Sequence, residues 1–132
     1  MQVSVGMSEV VLRVGPSHTL REAATKMTEQ GIGAAIVEDE NWPVPRILTE
    51  RDILKAIGTG RDPDVELVSD HMSESVITAG PEWSMERAAT EMSRRKIRHL
   101  AIYKDGELIG VLSMRDIMRV WTAEGATAQR PE

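Results

Sequence analysis

Gly110-Val111-Leu112-Ser113-Met114-Arg115-Asp116 is the stretch from which this 132-residue chain can be read. An apolar run from Leu108 to Leu112 stops at a hydroxyl residue, and a helical pattern, Ile117 to Thr122, begins just beyond. A hydroxyl followed three residues later by an acid, at a strand-to-helix junction, can cap the helix. It can also hold a ligand that carries a phosphate and a sugar diol. The free N–H groups of the helix start suit the phosphate, and an acceptor-only carboxylate suits the diol. Upstream, Ile47-Leu48-Thr49-Glu50-Arg51-Asp52-Ile53 has the same form.

The repetition extends well beyond this motif. Val3-Ser4-Val5-Gly6-Met7-Ser8-Glu9 matches Val68-Ser69-Asp70-His71-Met72-Ser73-Glu74 at a shift of 65. Gly15-Pro16 then matches Gly80-Pro81, Ala23-Ala24-Thr25-Lys26-Met27 matches Ala88-Ala89-Thr90-Glu91-Met92, and Ile32 matches Ile97. Thr49 and Ser113 are 64 apart, so the first copy has one extra residue before its motif. This is a tandem duplication.

Each copy reads as strand, helix, strand, strand, helix, a mixed α/β pattern. Val10 to Val14 and Val76 to Thr78 are expected strands, each ended by Gly-Pro. Thr19-Leu20-Arg21-Glu22 and Ser84-Met85-Glu86-Arg87 open helices in which Leu20, Ala23, Ala24 and Met27, or Met85, Ala88, Ala89 and Met92, recur at helical spacing. Ala34 to Val37 and Leu100 to Tyr103 read as buried strands. Lys104-Asp105-Gly106-Glu107 is a hairpin signal. The second hairpin strands are Arg46 to Thr49 and Leu108 to Ser113, and helices follow over about residues 50–57 and 114–123. The first copy with its linker, Gly58 to Val65, occupies residues 1–64 and the second 65–123; the polar 124–132 is expected to be a disordered, frayed tail.

Composition narrows the functions. The formal net charge of −5, from 21 acids against 16 Lys and Arg, argues against bulk affinity for nucleic acid but leaves room for a small anion bound by local cations. Cysteine is absent, so thiolate chemistry is excluded. No apolar run is long enough for a membrane span, and the N-terminus lacks a basic region leading into an apolar one; the expected compartment is the cytoplasm. Phe is missing and eight Met are present, so an aliphatic, Met-filled core is expected. His18, His71 and His99 show no metal-ligand spacing, so no metal site is expected. No nucleophile–base pair or phosphate-binding glycine loop appears, and an enzyme is not expected.

Three motifs, in order and duplicated, carry a resemblance: Val68-Ser69-Asp70-His71-Met72, Ile97-Arg98-His99-Leu100-Ala101, and Gly110 to Asp116. The chain resembles a pair of cystathionine-β-synthase-type (CBS) domains, a Bateman module. The resemblance implies two tandem repeats packed sheet to sheet with pseudo-two-fold symmetry. It implies a regulatory, non-catalytic module whose clefts between the paired repeats hold AMP, ADP, ATP or S-adenosylmethionine, with no cofactor required. It also implies a homodimer. With no effector domain in the sequence, the regulated protein, unidentified, would be bound in trans.

The same resemblance assigns the ribose to Asp116 and the phosphate to Ser113, Arg98 and His99. Asp52 and Thr49 are the counterparts in the first copy, and Val11, Leu12 and Arg13, with Val76, Ile77 and Thr78, would cradle the base. The first copy departs from the pattern. Arg46 stands where the family usually has glycine, and could crowd the cleft or serve a phosphate. Gly33-Ala34 stands in place of Arg98-His99. Unequal sites are expected, with the one using Asp116 the better candidate.

Plainer readings stand beside these. Both Ser/Thr-x-x-Asp motifs fit helix capping, and the acid suits the positive end of a helix dipole. Arg98 and His99 can be surface cations, and Arg51 and Arg115 can form surface salt bridges or contact phosphate. Trp42 is either an exposed contact or a loop anchor. The alternative function is a ligand-free structural or protein-interaction module, or a binder of S-adenosylmethionine or NADH.

Overall fold

The computed structural model of the protein describes residues 1–73 and 76–128. The expected order of elements is present, with a short helix added at the start and a single 3-10 turn, Val68–Asp70, at the start of the second copy. The elements are α1 (Val3–Gly6), β1 (Arg13–Val14), α2 (Leu20–Gln30), β2 (Ala34–Val37), β3 (Arg46–Thr49), α3 (Glu50–Gly58), β4 (Thr78–Ala79), α4 (Met85–Arg95), β5 (His99–Lys104), β6 (Glu107–Ser113) and α5 (Met114–Ala128). The last helix runs beyond the expected end near residue 123, and residues 129–132 of the expected tail lie outside the described residues. The first strand of each copy is shorter than the apolar pattern suggested, two residues in each case.

Two three-stranded sheets result, β1-β2-β3 and β4-β5-β6. In each, the first strand pairs parallel with the second and the second antiparallel with the third. The reason is covalent. A helix crossover separates the parallel strands, while a hairpin joins the antiparallel ones. Asp105 and Gly106, at φ 51° and 81°, form the tight turn between β5 and β6 with both central residues left-handed, the geometry that matches strand twist.

The helix ends follow from local chemistry. The Thr19 hydroxyl accepts from the Glu22 amide, and the Glu22 carboxylate accepts from the Thr19 amide, a complete capping box for α2. At α4 only the first half of this is present: the Ser84 hydroxyl accepts from the Arg87 amide. Both helices stop at a left-handed residue, Gly31 at φ 65° and Lys96 at φ 57°.

Packing groups the chain into two compact units, Val11–Val76 and Met1–Val10 with Ile77–Glu132. The first has a core of Leu12, Val14, Leu20, Met27, Leu48 and Val68, among others; the second has Val3, Met92, Leu100, Ile102, Leu112 and Ile117. Val68 opens the second sequence copy yet is fully buried in the first unit, and Val3 opens the first copy yet is fully buried in the second. The reason lies in backbone pairing. Ser73 exchanges hydrogen bonds with Ile47 on β3, and Ser8 does the same with Val111 on β6, at 2.9 and 3.0 Å for the latter pair. Sequence copies and packing units therefore do not share their boundaries.

Met27 and Met92 are buried as core residues, whereas Met118 on α5 is half exposed. Trp42 packs on the first core with the Arg46 guanidinium 4.4 Å from its ring centroid, so it anchors its loop.

Candidate functional site

In the second unit the end of β6 turns directly into α5. The Ser113 amide donates to Asp116 Oδ2 at 2.9 Å, and the Asp116 amide donates to Ser113 Oγ at 3.0 Å. This is the reciprocal cap that the four-residue spacing allows, and it holds the Asp116 carboxylate in the first turn, where the helix dipole favours negative charge. The Asp116 side chain remains 21% exposed. The carboxylate is therefore fixed in direction while solvent still reaches it.

Strand pairing brings the basic residues to the same corner. His99 is opposite Ser113 in the β5–β6 register, and the Met114 amide donates to the Arg98 carbonyl at 2.8 Å. The Arg98 side chain is exposed and His99 is half buried. On the other edge of β5, Thr78 pairs with Ala101, and the Ala101 amide donates to the Ile77 carbonyl at 3.0 Å. The backbones of Arg98, His99 and Ser113 thus meet where α5 begins, with those of Ile77 and Thr78 across the central strand. Val76 is half buried just ahead of them.

The first unit repeats the backbone. Thr49 and Asp52 make the same reciprocal cap, at 2.8 Å from the Thr49 amide and 3.3 Å from the Asp52 amide, and the Glu50 amide donates to the Gly33 carbonyl at 2.9 Å. The side chains differ. Gly33 and Ala34 supply no cation, and the Glu50 carboxylate lies against Gly33, so that a Cβ there would be 3.1 Å from the carboxyl carbon. Of the residues expected to cradle a base, Leu12 is a core residue at 7% exposure. Its carbonyl accepts from the Ile36 amide at 2.8 Å. Arg13 is paired with Glu38 at 2.6 Å, and Val11 is half buried. Arg46 is held on Trp42.

Two features at these corners are not visible in the spacing of either motif. Glu50 directly follows Thr49, but only the fold puts its carboxylate over Gly33. Arg119, one turn beyond Asp116, has Nη2 3.6 Å from Asp116 Oδ1 and donates to the Gly6 carbonyl at 3.1 Å. The i, i+3 relation to Asp116 is readable in a helix; the bond to Gly6 is not.

Among the described residues no group of three His, Cys, Asp or Glu side chains could hold a metal ion, and no helix is long and apolar enough to cross a membrane.

Known proteins are similar to this chain in sequence and in fold. The sequence is 37% identical over 123 residues to an uncharacterized protein of Methanopyrus kandleri, covering 89% of this chain and 63% of that protein, so the chain spans less than two thirds of that relative's length. The fold matches the hexameric CBS-CP12 protein from bloom-forming cyanobacteria with a TM-score of 0.85 and 25% identity, over 100% of this chain and 76% of that one. It also matches the CBS domain protein of Pyrobaculum aerophilum complexed with AMP, with a TM-score of 0.79 and 32% identity, over 96% of this chain and 99% of that one. The sequence pattern of the CBS domain matches twice, at residues 2–59 and 68–122, and the chain belongs to the CBS domain family.

Proposed function

We propose that the protein is a regulatory module that binds an adenosine nucleotide at the corner between β6 and α5 and acts on a partner protein in trans. The observation that carries this reading is a solvent-reached carboxylate, Asp116, oriented by Ser113 at the helix start that the backbones of Arg98 and His99 adjoin. Asp116 accepts the two ribose hydroxyls. The helix-start amides with Ser113, Arg98 and His99 receive the phosphate. Ile77 and Thr78, after Val76, line the base. A relative of similar length and 32% identity is complexed with AMP, which supports this ligand class.

The corner at Thr49 and Asp52 is the weaker site. A carboxylate, Glu50, stands there beside Gly33, where a phosphate would need a cation. Binding acts by population shift: a nucleotide stabilises whichever arrangement it binds better, and the partner reads that arrangement. The module works by binding and not by turnover, functions as a homodimer, and acts in the cytoplasm.

Titration calorimetry with AMP tests the assignment. Asp116→Ala removes a charge-assisted acceptor and should weaken AMP about tenfold to a hundredfold, while Asp52→Ala should change it less than about twofold. A loss confined to Asp52→Ala overturns the assignment. Absence of binding by the wild-type protein to AMP, ADP, ATP, NADH and S-adenosylmethionine favours a ligand-free interaction module instead.

A further inference from the structure

Arg119 belongs to neither motif, yet it joins two parts of the second unit. Its Nη2 faces Asp116 Oδ1 at 3.6 Å along α5 and donates to the Gly6 carbonyl at 3.1 Å. Gly6 ends the short helix of the N-terminal segment. That segment is fastened to the rest of the unit by backbone bonds: Val3 to the Trp83 carbonyl at 2.8 Å, Ser4 to that of Pro81 at 3.1 Å, and the two-way pairing of Ser8 with Val111. It fits closely over β6, where a Cβ on Gly110 would come within 2.8 Å of the Ser8 carbonyl and of Met7 Sδ. One guanidinium therefore connects the carboxylate of the corner to a carbonyl of the segment lying over the same strand.

Among the described residues, the first unit has the segment without the connection. Its equivalent of Arg119 is Lys55, and its equivalent of Gly6 is His71. His71 Nε2 lies 2.8 Å from Glu66 Oε1, five residues earlier, and Lys55 is exposed on α3. A lysine ammonium on its flexible stem is also less preorganised than a guanidinium for holding two acceptors.

We propose that Arg119 is a positioning residue that couples occupancy of the Asp116 corner to the hold on residues 1–10. The inference rests on the nucleotide reading above. A ribose diol on Asp116 competes with Arg119 for Oδ1. Once hydroxyls occupy that oxygen, the guanidinium is displaced from its contact with the still-charged carboxylate, and its bond to Gly6 weakens. Coupling is reciprocal: loosening the segment favours the ligand, and the ligand loosens the segment. The N-terminal segment becomes the element through which occupancy is read by a partner.

The test uses the full chain and its Arg119→Met and Arg119→Lys variants, with adenosine and AMP as probes. The Arg119 side chain is 65% exposed, so both variants should fold. Removing a competing exposed charge should strengthen adenosine and AMP alike by about twofold to fivefold in Arg119→Met, with Arg119→Lys in between. Hydrogen exchange at the Met7 and Ser8 amides should speed up on adenosine binding in the wild type. In ligand-free Arg119→Met it should already be fast, with no further response to ligand. A role limited to structure predicts weaker binding in the variant, and a phosphate contact predicts weaker AMP with adenosine unchanged; either overturns the proposal. If the wild type binds neither probe, the nucleotide reading and the coupling fail together. Exchange in the ligand-free variant then still reports whether Arg119 holds the segment, and unchanged exchange there overturns the tether by itself.

Discussion

At the corner after β3 the Glu50 amide donates to the Gly33 carbonyl at 2.9 Å; at the corner after β6 the Met114 amide donates to the Arg98 carbonyl at 2.8 Å. The caps match as well, Thr49 with Asp52 and Ser113 with Asp116. Duplication has kept the backbone and changed the charge. One corner carries Arg98 and His99, and the other carries Glu50 over Gly33. The caps set where an acid must be. On the proposed reading, the residues before the central strand and after the hydroxyl set whether an anion is welcome there. A capping box is therefore compatible with either fate, and the proposal assigns the discrimination to the neighbouring charge.

The comparison can be tested from the core outward. Leu48 and Leu112 are opposite numbers in β3 and β6, and both are fully buried. Truncating either to Ala should cost about 3 kcal/mol of stability by denaturant unfolding, because each leaves a cavity in the core of its unit. Similar losses would mean that the copies differ at their corners and not in their cores; a loss below about 1 kcal/mol for one of them would break that symmetry. The next effect in size is the contrast in AMP affinity between Asp116→Ala and Asp52→Ala. It asks whether the charge difference decides binding, since both variants lose the same cap.

A smaller contrast lies at the helix ends. Gly31 and Lys96 occupy equivalent left-handed positions after α2 and α4, but only glycine has no Cβ to pay for that conformation. Lys96→Gly should raise stability by about 1 kcal/mol in thermal unfolding, and Gly31→Ala should lower it by a similar amount. If Lys96→Gly destabilises, the lysine side chain makes a contribution that outweighs its backbone strain.

The smallest effects are titrations, one in each unit. Glu22 is held below its ordinary pKa by hydrogen bonds from the Thr19 backbone and then from its hydroxyl; Glu91 is lowered by hydrogen bonds from Arg95 and then Arg94. A carboxyl whose folded pKa lies below its unfolded value contributes stability above the unfolded value and loses it as pH falls through the folded one. Glu22→Gln and Glu91→Gln should each be slightly less stable than wild type at neutral pH. The difference should fade on acidification below roughly pH 4. A difference that persists unchanged in acid would show that packing and not ionisation is responsible.

Much of the fold was legible because its signals are local. The hydroxyl and acid three residues apart form a cap within one helical turn, Asp105-Gly106 forms a hairpin turn, and the apolar spacing of Leu20, Ala23 and Met27 marks one helix face. Repetition of these signals revealed two copies, and the differences at Gly33, Ala34 and Arg46 pointed to unequal corners. The first strands were less legible, since parallel pairing at β1 and β4 depends on a distant partner and not on local alternation. Trp42 was likewise ambiguous until Arg46 was found stacked on it.

By itself, then, the sequence determined the duplication, the order of elements, the capped corners and the residues carried to them. Only the tertiary structure decided which apolar segment completes which core, placing Val3 with the second unit and Val68 with the first. Only it laid Glu50 over Gly33 and joined Arg119 to both Asp116 and Gly6. The physical reason is range. Caps and turns are settled by groups within a few residues, whereas burial and long-range hydrogen bonds depend on which distant surfaces meet, and two similar copies offer nearly the same local signals for either choice.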